Sequence, residues 1–210
     1  VELAISTGLA LQCQIDERTK FDRKNYPYPD LMKGYQISQY DKPIATSGIL
    51  EIQVDGSTKP IRINRVHMEE DVAKLSHSQD EGEFSYSLLD INRAGIPLME
   101  IVSEPDLRSP EEARAYLISL RSILQYINVS TANMEEGNFR CDANISLKKF
   151  SDKELGPKVE IKNMNSFKAV YEALQYEIKR QTKLKDAEER ILSETRGWVE
   201  EKRITVSQRS

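Results

Sequence analysis

The chain has 210 residues, of which 39% are apolar and 30% charged, and its formal net charge is −4. That length suits one or two domains, with enough apolar material for one sizeable core. No apolar run approaches the roughly 20 residues that a membrane span needs, and the mild acidity is not the basic footprint of a nucleic-acid binder.

Residues 1–15 read as the end of a buried helix, with Leu3, Ile5, Leu9, Leu11 and Ile15 on its apolar side. Residues 20–43 are broken by prolines and a glycine. Tyrosines at 26, 28, 35 and 40 interleave there with Arg23, Lys24 and Lys33, which marks an ordered functional loop. Residues 49–70 read as a hairpin. Leu50, Ile52 and Val54 alternate with Glu51, Gln53 and Asp55, Asp55-Gly56 opens the turn, and Ile61 and Ile63 resume the alternation. The second strand runs into His67-Met68-Glu69-Glu70-Asp71, and the polar residues 76–84 read as a mobile loop.

Glu100 lies inside Pro-Leu-Met-Glu-Ile-Val, whose side chains are expected to be buried. A charge there costs several kcal/mol unless it is paired or bound to a cation. Ser109, Pro110 and Glu112 form a helix start with a capping box, and Ala113, Tyr116, Leu117, Leu120, Ile123, Leu124 and Ile127 form the stripe behind it. Residues 139–148 and 158–162 alternate as two half-buried strands. Phe167, Val170, Tyr171, Leu174 and Ile178 mark a second amphipathic helix, and the highly charged residues 179–203 read as a solvated helix leading outward. The expected class is α+β, an antiparallel sheet with helices packed on one side. The domain reading is 1–178 as the main domain and 179–210 as a charged helical segment.

Cys13 and Cys141 form no Cys-x-x-Cys pair, so a zinc site is not expected and a reducing compartment is the simple reading. The chain starts at Val1 without methionine, and both ends read as cut, which leaves a leader peptide undecided. Phosphate-loop, dinucleotide and nucleophile-turn motifs are absent. What remains is an excess of acids at strand ends and on polar strand faces: Glu69, Glu70, Asp71, Glu100, Asp142 and Glu160. Carboxylates spread over several strands suit magnesium, and Arg65, Arg93, Arg140, Lys158 and Lys162 in the same segments could hold phosphates. Acidic sheet faces are usually just solvated, so the pattern leaves both readings open. His67 reads as hydrogen-bonded structure rather than a ligand, and Cys141 as an inert thiol.

Several long blocks, in order, resemble the B subunit of the glutamyl-tRNA(Gln)/aspartyl-tRNA(Asn) amidotransferase. They include Phe21–Tyr26, Lys33–Tyr40, His67–Asp71, Asp90–Ala113, Asn133–Gly137, Arg140–Asn144, Glu160–Asn163 with Asn165–Phe167, and Glu194–Arg196. The resemblance implies a fold like glutamine synthetase and the guanido kinases. It implies a ligase that uses ATP and Mg2+ to phosphorylate the side-chain carboxylate of misacylated Glu-tRNA(Gln) or Asp-tRNA(Asn), after which ammonia displaces the phosphate. The implied partners are an amidase A subunit that releases the ammonia, a small C subunit and the tRNA, in a heterotrimer without a membrane. The implied compartment is the bacterial cytoplasm or an organelle interior.

Residue by residue, the resemblance implies Glu70 and Glu100 as ligands of the catalytic metal. Asp142, on a neighbouring strand face, is added as a catalytic acid, with Arg140, Arg93 and Lys158 for phosphate. Lys24, Tyr26, Lys33 and Tyr35 match the lining of the ammonia channel, with Glu70 near its mouth as a proton acceptor. The family's first strand, which carries further metal ligands, and its C-terminal tRNA-holding region are not in this sequence, and neither His67 nor His77 takes the place of the missing ligands. The absence of an inserted domain favours the B form over its archaeal paralogue. A scaffold without chemistry and a free-standing carboxylate–ammonia ligase are the competing classes.

Overall fold

The computed structural model describes residues 1–77 and 86–209, so the part of the expected loop at 78–84 lies outside the described residues. The class is α+β, as expected. The chain divides into two units: 1–50 with 60–106, and 51–59 with 107–210. Residue 178, where the sequence reading divides the chain, falls inside the second of these units.

The first unit opens with α1 (Glu2–Ala10). The expected apolar face is corrected here: Leu3 and Leu9 are exposed, and the helix buries Ala4, Thr7 and Gly8 instead. A side chain on Gly8 would run into Ala45 and Ile15, so small residues let the helix lie close to the strands. Four strands form the main sheet in the order β1 (Gln14–Ile15), β4 (Ala45–Val54), β5 (Ser57–Glu70) and β8 (Pro97–Ser103). Leu11, Ile44, Ala45, Leu50, Ile61, Ile63 and Val66 fill its core.

The β4–β5 hairpin turns at Asp55-Gly56, whose φ values of 50° and 76° are those of a primed turn matched to strand twist. Gly48 in β4 has no room for a side chain, because a Cβ would overlap Cys13 Sγ and the Leu11 carbonyl oxygen. Gly48→Ala is expected to cost about 1–3 kcal/mol. Chemical denaturation of the full-length protein should show it, and an unchanged midpoint would mean that the α1–β1 turn yields freely.

The segment expected as a loop at 20–43 contains a second hairpin, β2 (Asp22–Asn25) and β3 (Tyr35–Ser38), paired with Lys24 opposite Gln36 and Asn25 opposite Tyr35. Pro27 and Pro29 lie in the connection between the strands and Pro43 follows β3, so none of them removes a ladder hydrogen bond from this hairpin. A third hairpin pairs β6 (Lys74–His77) with β7 (Ser87–Asp90), so residues 76 and 77 end a strand and are not loop. Strands β5 and β8 run antiparallel, which sets His67 opposite Glu100 and Glu70 opposite Pro97.

The second unit contains α2 (Pro110–Tyr126), β9 (Ala143–Ile145), β10 (Val159–Lys162), α3 (Phe167–Asp186), β11 (Glu194–Val199) and β12 (Ile204–Arg209). Ser109 caps α2 by accepting from the Glu112 backbone N–H at 3.1 Å. The Glu112 carboxylate reaches back to the Arg108 N–H, one residue before the expected partner in a capping box, and also meets Lys59 at 2.7 Å. Helices α2 and α3 pack together, and α3 also lies against β9 and β12.

The sheet order is β12-β11-β10-β9, with β10 and β11 parallel. The expected antiparallel pairing holds elsewhere, as in β9–β10 and β11–β12, while the β10–β11 pair departs from it, with α3 as the crossover that parallel neighbours require. Two further expectations change. The strand over 139–148 shrinks to three residues, and the helix expected over 179–203 stops at Asp186 and gives way to the β11–β12 hairpin.

A buried acid joins α3 to that hairpin. Glu177 has no exposed surface. It accepts from Arg180 Nε at 2.9 Å and Gln181 Nε2 at 3.0 Å, lies 3.2 Å from Arg196 Nε, and takes a short hydrogen bond from the Thr205 hydroxyl. Burial pushes its carboxyl up, but Arg180, Thr205 and Gln181 outweigh that and hold it below the usual carboxylate range. No described helix is long and apolar enough to cross a membrane.

Candidate functional site

Strand β5 ends in Arg65-Val66-His67-Met68-Glu69-Glu70, and alternation along a strand sends odd and even positions to opposite faces. Arg65, His67 and Glu69 share one face, and the register adds Glu100 from β8 beside His67. One ligand atom from each of His67, Glu69 and Glu100 lies within 4.8 Å of the others, the single such set of three among the described residues. These side chains line an open pocket of about 320 Å3 with Arg23, Lys24 and Arg65.

Glu69 is held on three sides. Its carboxylate accepts from Ser38 at 2.7 Å and from Gln36 at 3.3 Å, and His67 Nε2 stands 3.3 Å away. Burial pushes this carboxyl up, but the hydrogen bonds from His67 and Ser38 outweigh it, so Glu69 sits below the usual range and is anionic at neutral pH. Two carboxylates and the imidazole beside them form a largely oxygen donor set that fits Mg2+ or Mn2+.

Glu100 belongs to this set for a reason other than the one its sequence suggests. Its side chain is 50% exposed, because β8 is an edge strand, so it is not an acid enclosed by apolar neighbours.

Glu70, one residue on from Glu69, turns to the other face and is not in the group of three. It meets Lys33 Nζ at 2.5 Å and accepts from the Ile37 N–H at 2.9 Å. Burial pushes its carboxyl up, but Lys33 and the Ile37 N–H prevail and hold it below the usual range. It lines a second, smaller pocket of about 160 Å3 with Lys33, Tyr35, Asp30 and Asp71.

The four residues expected along the ammonia channel share the β2–β3 hairpin. Lys24 stands over the Tyr26 ring at 5.9 Å and Lys33 over Tyr35 at 4.8 Å, with Arg23 also over Tyr35 at 4.9 Å. Lys33 and Tyr35 line the Glu70 pocket, and Lys24 lines the Glu69 pocket.

Arg93 lies 3.8 Å from Asp71 in the first unit. Arg140, Asp142 and Lys158 belong to the second unit. Asp142 pairs with Lys162 at 2.5 Å, and Lys162 lies 3.5 Å from Glu160. Burial pulls the Lys162 ammonium down, but the Asp142 carboxylate outweighs it and holds it above the ordinary value. Arg140 and Asp142 precede β9 in irregular chain, so they do not share a strand face as expected. The Cys141 thiol is pushed up to about 12 by burial, with the Asp142 charge adding to it, which agrees with an inert thiol.

Two residues of the group of three are not singled out for this role by the sequence. His67 reads there as structure, and Glu69 is only one acid among several. The signal is present in the spacing, since His67-x-Glu69 places both on one strand face.

An α+β chain that gathers two carboxylates, an imidazole and three cations around an open pocket has the make-up of a catalytic domain. All 210 residues match the family described as the GatB/GatE catalytic domain, and the chain belongs to that family. It is 64% identical over its whole length to the B subunit of the aspartyl/glutamyl-tRNA(Asn/Gln) amidotransferase of Dehalococcoides mccartyi strain CBDB1. It is 59% identical to the protein of the same name from Thermomicrobium roseum, and 53% to that from Brevibacillus brevis. The chain spans 43% of the length of each of these relatives.

Proposed function

We propose that this domain belongs to a B subunit that uses ATP and magnesium to phosphorylate the side-chain carboxylate of a misacylated tRNA, Glu-tRNA(Gln) or Asp-tRNA(Asn), and then amidates it with ammonia. Its partners would be an amidase A subunit and a small C subunit, working in the cytoplasm. The observation that carries the reading is the split of Glu69 and Glu70 between two pockets on opposite faces of β5. One pocket has cation-binding chemistry, and the other joins a carboxylate to a lysine and a tyrosine.

A carboxylate is a poor electrophile and must be activated, which brings two anions together. Magnesium beside Glu69 and Glu100 would supply charge against both. Arg23, Lys24 and Arg65 line the same pocket and offset the rest. In this reading Glu70, anionic and paired with Lys33, would take a proton from ammonium.

The test reconstitutes the full-length protein with its A and C partners, misacylated tRNA, ATP, magnesium and glutamine. Amide on the tRNA should require every component. Glu70→Gln should keep ATP cleavage and lose most of the amide made from glutamine. Equal amide from Glu70→Gln would remove Glu70 from the ammonia path, and amide without ATP would sink the phosphorylation step. Binding of tRNA with neither ATP cleavage nor amide would favour a scaffold.

A further inference from the structure

The connection from β9 to β10, residues 146–158, belongs to the second unit. It carries Lys148, Lys149, Lys153 and Lys158 against Asp152 and Glu154, so it is locally basic in a chain of net charge −4. Phe150 at its tip is fully exposed, and Leu155 is half exposed. Lys148, Lys149 and Lys153 are exposed as well and enter no ion pair among the described residues.

The tip is held in shape all the same. The Asp152 N–H donates to the Lys149 carbonyl at 3.0 Å, and the Asp152 carboxylate accepts from the Lys149 N–H at 2.9 Å and from Lys185 of α3 at 3.3 Å. At the base of the connection the Leu147 carbonyl accepts from the Gly156 N–H and from Lys185, each at 3.2 Å. A Cβ on Gly156 would stand 2.5 Å from that carbonyl oxygen, so this close crossing needs glycine. One acid is thereby used inside the loop, while three ammonium groups and an aromatic ring face solvent. A protein partner bound through apolar area would meet one ring and one leucine, far short of the roughly 800 Å2 per partner of a stable interface. A polyanion with flat faces meets the loop better, since unpaired bases stack on exposed rings and phosphates take lysine ammonium groups.

We infer that residues 148–153 form an RNA contact: Phe150 stacks on an unpaired nucleotide of the substrate tRNA, and Lys148, Lys149 and Lys153 hold the phosphates on either side of it. The inference rests on the reading that a misacylated tRNA is the substrate. It deepens that reading by giving a mildly acidic chain a local place for a polyanion.

The experiment takes the full-length protein with its A and C partners and measures affinity for misacylated tRNA over a range of salt concentrations, beside amide formation at limiting and at saturating tRNA. Phe150→Ser should weaken binding about tenfold, and Phe150→Tyr should bind like wild type, because stacking needs a ring and not a particular one. The amide lost in Phe150→Ser should be lost at limiting tRNA and largely return at saturation. Lys148→Gln together with Lys149→Gln should flatten the slope of log affinity against log salt by about one to two. Tyr126→Ser removes a similarly exposed ring at the end of α2, outside the loop, and should change neither affinity nor amide. Wild-type affinity in Phe150→Ser, with amide still made by wild type, would overturn the inference and leave the tRNA reading intact. Loss of the A or C subunit from the Phe150→Ser complex at unchanged tRNA affinity would overturn it too and give the loop to a protein partner. A wild-type complex that neither binds nor amidates the tRNA would overturn the substrate reading, and this inference with it.

Discussion

Glu69→Gln is expected to lower ATP-dependent amide formation by about 100- to 1,000-fold, the usual scale for losing one preorganised electrostatic group. The substitution keeps the shape of the side chain and removes its charge. It also turns an acceptor-only group into one with two N–H donors. Ser38, Gln36 and His67 all approach the native carboxylate as donors, so whichever way the new amide faces, one donor meets another. A cation held beside Glu69 and Glu100 would then lose a charged oxygen. Activity of the reconstituted complex should be measured beside its thermal unfolding. A large loss of activity with a nearly unchanged midpoint supports a role in chemistry. Full activity would show that the group of three is a structural network and return the metal role to other residues.

Glu177→Ala is expected to destabilise the second unit by about 3–5 kcal/mol, because it removes a fully buried carboxylate that two arginines share and leaves them only Glu194 as an anionic partner. Arg180 and Arg196 both meet this carboxylate, which has no exposed surface. The melting midpoint should fall by about 10 °C. The effect has a sign in pH. The folded carboxyl is held below its ordinary value, so its contribution is present above the unfolded pKa and is lost as pH falls through the folded one. The gap between wild type and Glu177→Ala should be wide near neutrality and narrow below the usual carboxylate range. A gap of the same width at both ends would mean that the loss is one of packing and not of charge.

Local signals in the sequence lead to local structure. The Asp55-Gly56 turn, the Ser109 cap and the α2 stripe each appear where their residues place them, because a primed turn or a cap is decided within a few positions. The β11–β12 hairpin is hidden for the opposite reason. Glu194 and Arg196 look like solvated charge in a charged stretch, yet they sit beside Glu177 and Thr205 within a folded network. Nothing near them in sequence announces that partner. The candidate site follows the same division. Acids at the end of β5 are legible, and their sorting is not, because Ser38 and Ile37 of β3 and Lys33 just before it, which hold Glu69 and Glu70, lie more than 30 residues earlier. The burial expected around Glu100 fails since an edge position is a property of the sheet and not of the run.

The adjacency of Glu69 and Glu70 makes the end of β5 a parity device. Two acids of nearly equal chemistry meet different surroundings only because one position is odd and the other even. Substitutions around them can be graded, but a one-residue insertion or deletion between Arg65 and Glu69 cannot. If β5 kept its pairing with β8 on the far side of such a change, every later side chain would swap faces. An insertion would carry Glu69 to the lysine's side and leave Met68 beside the imidazole, whereas a deletion would carry Glu70 to the imidazole's side and bring Asp71 toward the lysine.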